Sequence, residues 1–311
     1  MEGPLIAIVG PTAVGKTALS VRLARDVNGE IVSADSRQIY KTMDIGTAKA
    51  TRQERRAVPH HLIDVVEPDE SFTLAQYQEA AYRIVADVLQ RGKVPFLVGG
   101  TGLYIRAVLD GLGIPRVPPN PQLRQDLYAR AEREGNESLH RWLAEIDPQA
   151  ALAIDARNVR RVVRALEVYL ESGSPISVLQ RSTPPDYRIL RIGLTMDRAR
   201  LYERIDARVA RMLDSGLVDE VRKLLVQGYD VTLASMSAVG YRQIAAYLEG
   251  RIDYDEAVRL IKHDTRRFVR QQYNWFRLDD PLIRWFDVGK ETSCVYADIL
   301  SLVEEFIATV G

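Results

Sequence analysis

The chain contains a single cysteine, Cys294, in 311 residues. One thiol excludes a disulfide within the chain and a zinc site built from cysteines, and it fits a reducing compartment. No charge is in surplus either: Lys plus Arg and Asp plus Glu are 42 each, for a formal net charge of zero. A protein that held nucleic acid by overall charge would be strongly basic, so any such surface here must come from local clustering. No apolar run reaches the length of a membrane span, and the first strand-like segment follows the start within four residues, so no secretory leader is expected. A cytoplasmic protein without a membrane partner is expected. Internal repeats and low-complexity tracts are lacking too. What is plentiful is apolar residues, 46% of the chain, enough for a sizeable core and, at this length, roughly two domains.

Gly10-Pro11-Thr12-Ala13-Val14-Gly15-Lys16-Thr17 fits the phosphate-binding pattern G-x-x-x-x-G-K-[ST] at every fixed position. Leu5–Val9 reads as a buried strand before it, and Leu19, Leu23 and Val27 give helical spacing after it. That context is what the mechanism needs. Backbone N–H groups of the loop and of the helix start cradle phosphate oxygens, Lys16 adds a point charge, and the Thr17 hydroxyl can hold Mg2+. The loop specifies a phosphate or diphosphate but not a substrate.

Gly29–Val32 reads as a second strand that runs into Ser33-Ala34-Asp35-Ser36-Arg37-Gln38. In a parallel α/β sheet the segment past a strand's C-terminal end faces the ligand crevice. Asp35 is thus placed either for chemistry or to cap the next turn. Val94–Val98 is a further strand, ending in Gly99-Gly100-Thr101-Gly102, where Thr101 offers a hydroxyl at the same end of the sheet. Ser71–Arg91 reads as an amphipathic helix with a core-facing stripe. His60 and His61 are adjacent, and neighbours rarely converge on one ion, so packing is the expected role.

Pro115-Arg116-Val117-Pro118-Pro119-Asn120-Pro121 is the strongest break in the chain. Helical segments come after it at 122–134, 138–146 and 158–172, and a second linker runs from Ser174 to Pro185. The expected plan is a P-loop core begun by 1–112, an all-helical insertion at 113–186, and a return to the core over 187–311. Arg188–Thr195 is read as the strand that completes the sheet. The fold class is α/β: a P-loop NTPase-like parallel sheet flanked by helices, with the helical insertion domain. Arg157, Arg160, Arg161 and Arg164 share one helical face, which is either solvated and ion-paired or in contact with a phosphate backbone. A second basic set, His263, Arg267, Arg270, Asn274 and Arg277, lies on a long helix from Asp255 to Arg277, interleaved with Phe268, Tyr273, Trp275 and Phe276. Together they suggest a local nucleic-acid groove.

On these residues alone a kinase or ATPase is the default for a P-loop protein. Two features fit it poorly. No acidic residue clearly closes an apolar strand to hold a metal in the second position, Asp64 and Asp35 being the only candidates, and a small-molecule kinase has no use for the insertion.

Several motifs taken together resemble the bacterial tRNA dimethylallyltransferases, also called tRNA isopentenyltransferases. They are G-P-T-A-V-G-K-T at Gly10–Thr17, D-S-R-Q-I-Y at Asp35–Tyr40, D-I-G-T-A-K at Asp44–Lys49 and P-H-H-L-I-D at Pro59–Asp64. G-G-T-G-L-Y at Gly99–Tyr104, R-A-L-E-V at Arg164–Val168, V-G-Y-R-Q-I at Val239–Ile244 and T-R-R-F-V-R-Q-Q-Y-N-W-F-R at Thr265–Arg277 complete the set, which spans nearly the whole chain. The resemblance implies transfer of a dimethylallyl group from dimethylallyl diphosphate to N6 of adenosine 37, in the anticodon stem-loop of tRNA, with Mg2+ assisting. It implies Asp35 as the base, Thr101 as a positioning group, and Lys16 with the rest of the loop on the diphosphate leaving group. Arg208 is implied as a diphosphate clamp, with Arg211 its competitor. Implied tRNA contacts are Asp35, Ser36, Arg37, Gln38, Thr101 and Arg124, then Arg160, Arg161, Val162, Val163 and Arg164. Gly240, Tyr241, Arg242, Arg270, Gln272 and Arg277 complete them. Three positions depart from the family pattern: Ala50 where Pro is frequent, Ser237 where some members carry Arg, and Gln271 where Arg is expected. No obligate protein partner is implied, and a monomer is expected. The rival readings are an adenylate isopentenyltransferase, which would have no use for the insertion, and a small-molecule kinase.

Overall fold

The computed structural model describes residues 3–289 and 292–309. The chain divides into two compact units, one of Asp110–Pro185 and one of the sequence on either side of it.

The flanking sequence builds a six-stranded sheet in the order β3-β2-β4-β1-β5-β6, parallel at every pairing. The first part supplies β1 (Gly3–Val9), α1 (Lys16–Asp26), β2 (Gly29–Ala34), α2 (Arg52–Ala57), β3 (His60–His61), α3 (Leu74–Gln90), β4 (Val94–Gly99) and α4 (Gly102–Leu109). A parallel sheet is covered on both faces, so its central strands are apolar throughout rather than alternating. Side chains still alternate in direction. On β1, Ile6 and Ile8 enter the larger core, while Leu5, Ala7 and Val9 enter the smaller one, with α3 and α4. All five are at most 2% exposed. A capping box closes the start of α3, Thr73 and Gln76 each accepting the other's backbone N–H, so the helix begins at Leu74 rather than at Ser71.

Past the second unit come β5 (Tyr187–Thr195), α10 (Arg198–Asp214), α11 (Leu217–Val226), α12 (Tyr241–Leu248), α13 (Tyr254–Trp275), β6 (Ile283–Asp287) and α14 (Thr292–Ala308), the numbering allowing for five helices of the second unit. β5 does not complete the sheet as expected. It pairs with β1 on one side and with β6 on the other. β6 is a five-residue edge strand whose segment, Ile-Arg-Trp-Phe-Asp, is too short to announce itself by pattern. No helix among the described residues is long and apolar enough to cross a membrane.

The second unit is helical: α5 (Pro121–Glu134), α6 (Asn136–Ile146), α7 (Pro148–Ala153), α8 (Val159–Ser172) and α9 (Ile176–Leu179). The short α7 and α9 fall where the sequence reads as connection and linker. Its core gathers Leu127, Leu139, Leu143, Val162, Val163 and Leu166. Within it the fully buried Glu167 carboxylate accepts from Arg124 (2.8 Å), Arg164 (2.6 Å) and the Asn120 N–H (2.8 Å). Burial pushes that carboxyl up, but the two guanidinium groups and the backbone donor outweigh it and hold it below its ordinary value.

Candidate active site

The phosphate loop leaves the C-terminal end of β1. Gly10 has φ 138°, and a Cβ there would lie 2.4 Å from the Leu194 carbonyl oxygen, so only glycine fits against β5. Ala13 also takes a left-handed φ of 66°. Lys16 Nζ donates to the Gly10 and Pro11 carbonyls at 2.9 and 2.8 Å, so the ammonium rests on the rim of its own loop. Burial lowers the Lys16 pKa to about 7, a shift that Asp35 partly opposes and Arg208 reinforces.

β2 runs two residues further than the sequence suggested, which makes Asp35 the first residue past its end. Asp35 Oδ1 accepts the Arg37 N–H at 2.9 Å, so the turn-capping role is real. The side chain also lines both cavities described next, so capping the turn does not take it out of the site. The turn is tied to its neighbour: Ser36 N–H donates to Thr101 Oγ1 (3.0 Å), and Thr101 N–H donates to the Ala34 carbonyl (3.2 Å). A Cβ on Gly99 would sit 2.1 Å from the Ala34 oxygen, so β2 and β4 close this tightly only with glycine there. Gln272 of α13 links two loops, accepting the Thr12 N–H at 2.8 Å and donating to the Gly100 carbonyl at 3.0 Å.

Two cavities open at these strand ends. One, of 870 Å³, takes in Gly15, Lys16 and Thr17 with Arg208 and Arg211. The other, of 360 Å³, is framed by Thr101, Leu103, Val209, Phe268 and Trp275. Asp35, Arg208 and Met212 line both. The first collects cations around the phosphate loop and the second is largely apolar, and they meet at a carboxylate. Arg208 is therefore better placed than Arg211, which lines the larger cavity alone. Burial and the nearby Arg211 lower the Arg208 pKa, while Asp35 holds against them.

The D-I-G-T-A-K segment forms a wall of the larger cavity. Glu220 on α11 accepts the backbone N–H groups of Asp44 (2.9 Å), Ile45 (2.8 Å) and Gly46 (3.2 Å) and the Tyr241 hydroxyl (2.6 Å). The buried Lys49 donates to the Tyr40 carbonyl, Asp44 and Asp64, and Arg55 takes the other oxygen of Asp64. Asp64, one of two carboxylates weighed above for a metal, is thus spent on cations. Burial raises its pKa, but Lys49 and Arg55 bring it below the ordinary value. His61 Nε2 faces Glu30 at 2.8 Å and His60 Nδ1 faces the Val58 carbonyl at 2.8 Å, both structural contacts.

The residues matched above to RNA contacts separate into two groups. Arg160 and Arg161 are exposed, as are Arg242, Arg270 and Arg277, although Arg242 pairs with Asp264 and Arg277 with Asp279. Arg37 is half-buried and reaches the Ala234 carbonyl and Ser237 Oγ. Other side chains are turned to the fold's own use. Val162 and Val163 are 1% exposed and leave only backbone for a ligand. Tyr241 and Gln272 are buried, Gln38 donates to the Thr47 and Ala48 carbonyls, and Arg124 and Arg164 serve Glu167. Gly240 has φ 100° at the start of α12, a backbone role. Glu220 and Met212 escape a reading of the sequence. Glu220 acts on residues 174–176 positions away, a contact no local pattern signals.

The sequence pattern of the IPP transferase family matches residues 38–279. The chain is 57% identical over 274 residues to a tRNA dimethylallyltransferase from Roseiflexus sp. (strain RS-1), covering 88% of this chain and 90% of the relative. It is 50% identical over 295 residues to the tRNA dimethylallyltransferase of Carboxydothermus hydrogenoformans, covering 94% of each. Among solved structures it is similar to the full-length tRNA isopentenylpyrophosphate transferase from Bacillus halodurans, at TM-score 0.74 and 41% identity, over 98% of this chain and 97% of that one. A eukaryotic dimethylallyltransferase acting on tRNA shares the fold at TM-score 0.84 and 24% identity, over 99% of this chain and 80% of that one.

Proposed function

This chain belongs to the IPP transferase family, and from that membership we propose that it transfers the dimethylallyl group of dimethylallyl diphosphate to N6 of adenosine 37 in tRNA, releasing diphosphate. The observation that carries the reading is the junction of a cationic cavity and an apolar one at Asp35. A prenyl diphosphate has that same division, an anionic end and an apolar end joined at the reacting carbon.

The allylic C1–O bond breaks, the adenine N6 lone pair forms the new C–N bond, and the N6 proton passes to the Asp35 carboxylate. Thr101 holds the Ser36 N–H beside that carboxylate and so fixes its turn. The loop's N–H groups, Lys16 and Arg208 stabilise charge growing on the leaving diphosphate. Among the described residues Lys16 Nζ donates only to carbonyls, so an incoming diphosphate replaces neutral acceptors with charged ones. Thr17 lines the same cavity, and its hydroxyl with diphosphate oxygens is a hard-oxygen set suited to Mg2+. Bound there, Mg2+ would supply further neutralisation of the leaving group. The target adenine must leave its stack to reach a pocket framed by Phe268, Trp275 and Leu103. A tRNA substrate and a lone exposed thiol, Cys294, fit a cytoplasmic enzyme that works without a protein partner.

The test is a transfer assay with Mg2+, labelled dimethylallyl diphosphate, and either an anticodon stem-loop bearing A36-A37-A38 or free AMP. Label in the stem-loop alone is the expected result. Label in AMP would make the enzyme an adenylate isopentenyltransferase. Label in neither, with phosphate released from ATP, would restore the kinase reading.

A further inference from the structure

The third large cavity does not touch the phosphate loop. It is a groove of 740 Å³ at the C-terminal end of β5, walled by the start of α10 and the last turns of α13. Val269, Tyr273 and Arg277 of α13 line it at i, i+4 and i+8. The reaction pocket takes Ile261, Thr265, Phe268, Gln272 and Trp275 from the same helix, on its opposite flank. The exposed Arg270 and Asn274 line the groove as well, and His263 and Arg267 continue their stripe along the helix. The cavities therefore lie on different sides of α13, a helix about 10–12 Å across.

The groove's lining is mixed in a particular way. Leu201, Val269 and the 59%-exposed Leu278 give it apolar walls, and Tyr202 and Tyr273 give it rings. Arg198 and Arg270 both donate to the Tyr202 hydroxyl, at 3.0 and 3.3 Å, and neither has a carboxylate partner among the described residues. Only Arg277 has one, Asp279. Arg198 is also the first residue of α10, the positive end of the helix dipole, where a cation is disfavoured. What it gives the helix is an i,i+4 contact with Tyr202, whose ring it also overlies at 5.3 Å, and no carboxylate among the described residues answers its charge. Two arginines held by a neutral hydroxyl, beside aromatic and aliphatic walls, match a phosphate joined to a flat ring.

We propose that the groove lined by Arg198, Tyr202, Arg270, Tyr273, Arg277 and Leu278 is a second nucleotide subsite, taking an unstacked nucleotide of the same RNA strand whose target adenine occupies the reaction pocket across α13. The subsite rests on the transferase reading for its ligand. It grips the strand on the far side of the helix, so that the strand straddles α13 and the target base is presented to Asp35 with less freedom.

The test pairs two variants with an abasic scan of the stem-loop. Arg198→Ala and Leu278→Asp change exposed groove residues remote from the reacting groups. Each is expected to raise the Kd for the stem-loop about tenfold, with the KM for dimethylallyl diphosphate and kcat at saturating RNA unchanged. Removing the base at one loop position other than 37 should weaken binding to the wild-type protein by a similar factor and add nothing further in Leu278→Asp. Wild-type affinity in both variants, or full additivity at every abasic position, overturns the subsite. So does a loss confined to Arg198→Ala, which would mark a phosphate contact without a base. Transfer to adenosine 37 by the wild-type protein, read alongside, reports separately on the reaction: non-additive binding without transfer would keep the subsite and remove the chemistry.

Discussion

α8 and α13 look alike in the sequence, each a helix with basic residues at helical spacing, yet the structure uses them differently. On α8 one arginine is drawn inward. Arg164, with Arg124 of α5, neutralises a carboxylate that is 0% exposed, and Arg160 and Arg161 alone remain for a ligand. On α13 Arg266 is half-buried against Asp206, but Arg267 and Arg270 face solvent and it is a neutral amide that enters the site: Gln272 reaches the phosphate loop and the Gly99–Gly102 turn. The basic stripe of α8 is thus partly a folding device. That of α13 lies on the outside of a helix whose inside lines the candidate site. Spacing shows which residues share a face, but only burial shows which of them is already committed.

Neither helix carries Asp35, the proposed base, so the largest effect should lie outside both. Asp35→Ala is expected to lower kcat by about 10²–10⁴-fold with stem-loop affinity nearly unchanged, as read by single-turnover transfer and a binding titration. An α8 variant losing as much in kcat would erase the distinction drawn above. Next comes the folding role of α8. Arg124→Ala with Arg164→Ala leaves Glu167 charged, buried and held by one backbone donor, and should cost about 3–5 kcal/mol of stability in a denaturant titration. A cost under about 1 kcal/mol would place those arginines among ordinary surface pairs. Gln272→Ala then removes two hydrogen bonds from the loop's scaffold. It should lower kcat/KM for dimethylallyl diphosphate about tenfold or more, whereas Arg160→Ala with Arg161→Ala should leave that parameter alone and reduce the salt slope of RNA binding by about 1.5–2. The reverse pattern would exchange the two helices' roles.

The smallest effect concerns Lys16. Its pKa is about 7 in the folded chain against 10.5 for the free side chain, so between those values the unfolded chain binds more protons. Stability contributed through this residue therefore rises with pH across that window, the cost being full below pH 7. A bound diphosphate favours the ammonium and reverses the shift. At pH 8, diphosphate binding should take up most of one proton per site, seen as different binding heats in two buffers of unequal ionisation enthalpy. Lys16→Met should abolish the difference.

Much of this site is legible in the chain because its parts are contiguous. The phosphate loop is eight consecutive residues, and Asp35 and Thr101 are found by looking just beyond the C-terminal end of an apolar strand in a parallel sheet. The rest depends on meetings between distant segments. Gln272 lies 260 residues from the loop it braces, and Glu220 is an ordinary helix-surface glutamate until three N–H groups of a remote turn close on it. Asp64 looks available for a metal in the sequence because nothing local shows Lys49 and Arg55 converging on it. β6 is illegible for a different reason: five residues at a sheet edge carry too little pattern to separate from a turn.

The pairing of β1 with β5 has a consequence in time. Gly3 lies opposite Tyr187, so one edge of the central strand must wait for 184 further residues. At typical synthesis rates that is on the order of ten to forty seconds. Throughout that interval β1, apolar on both faces, presents an open ladder of the kind that recruits foreign strands. The intervening helices make mostly short-range contacts, which form quickly, and they can be complete before the ribosome releases the partner strand. The growing chain therefore finishes its insertion first and its foundation last, and its greatest exposure to misassembly comes while the phosphate loop is already made but still has no floor.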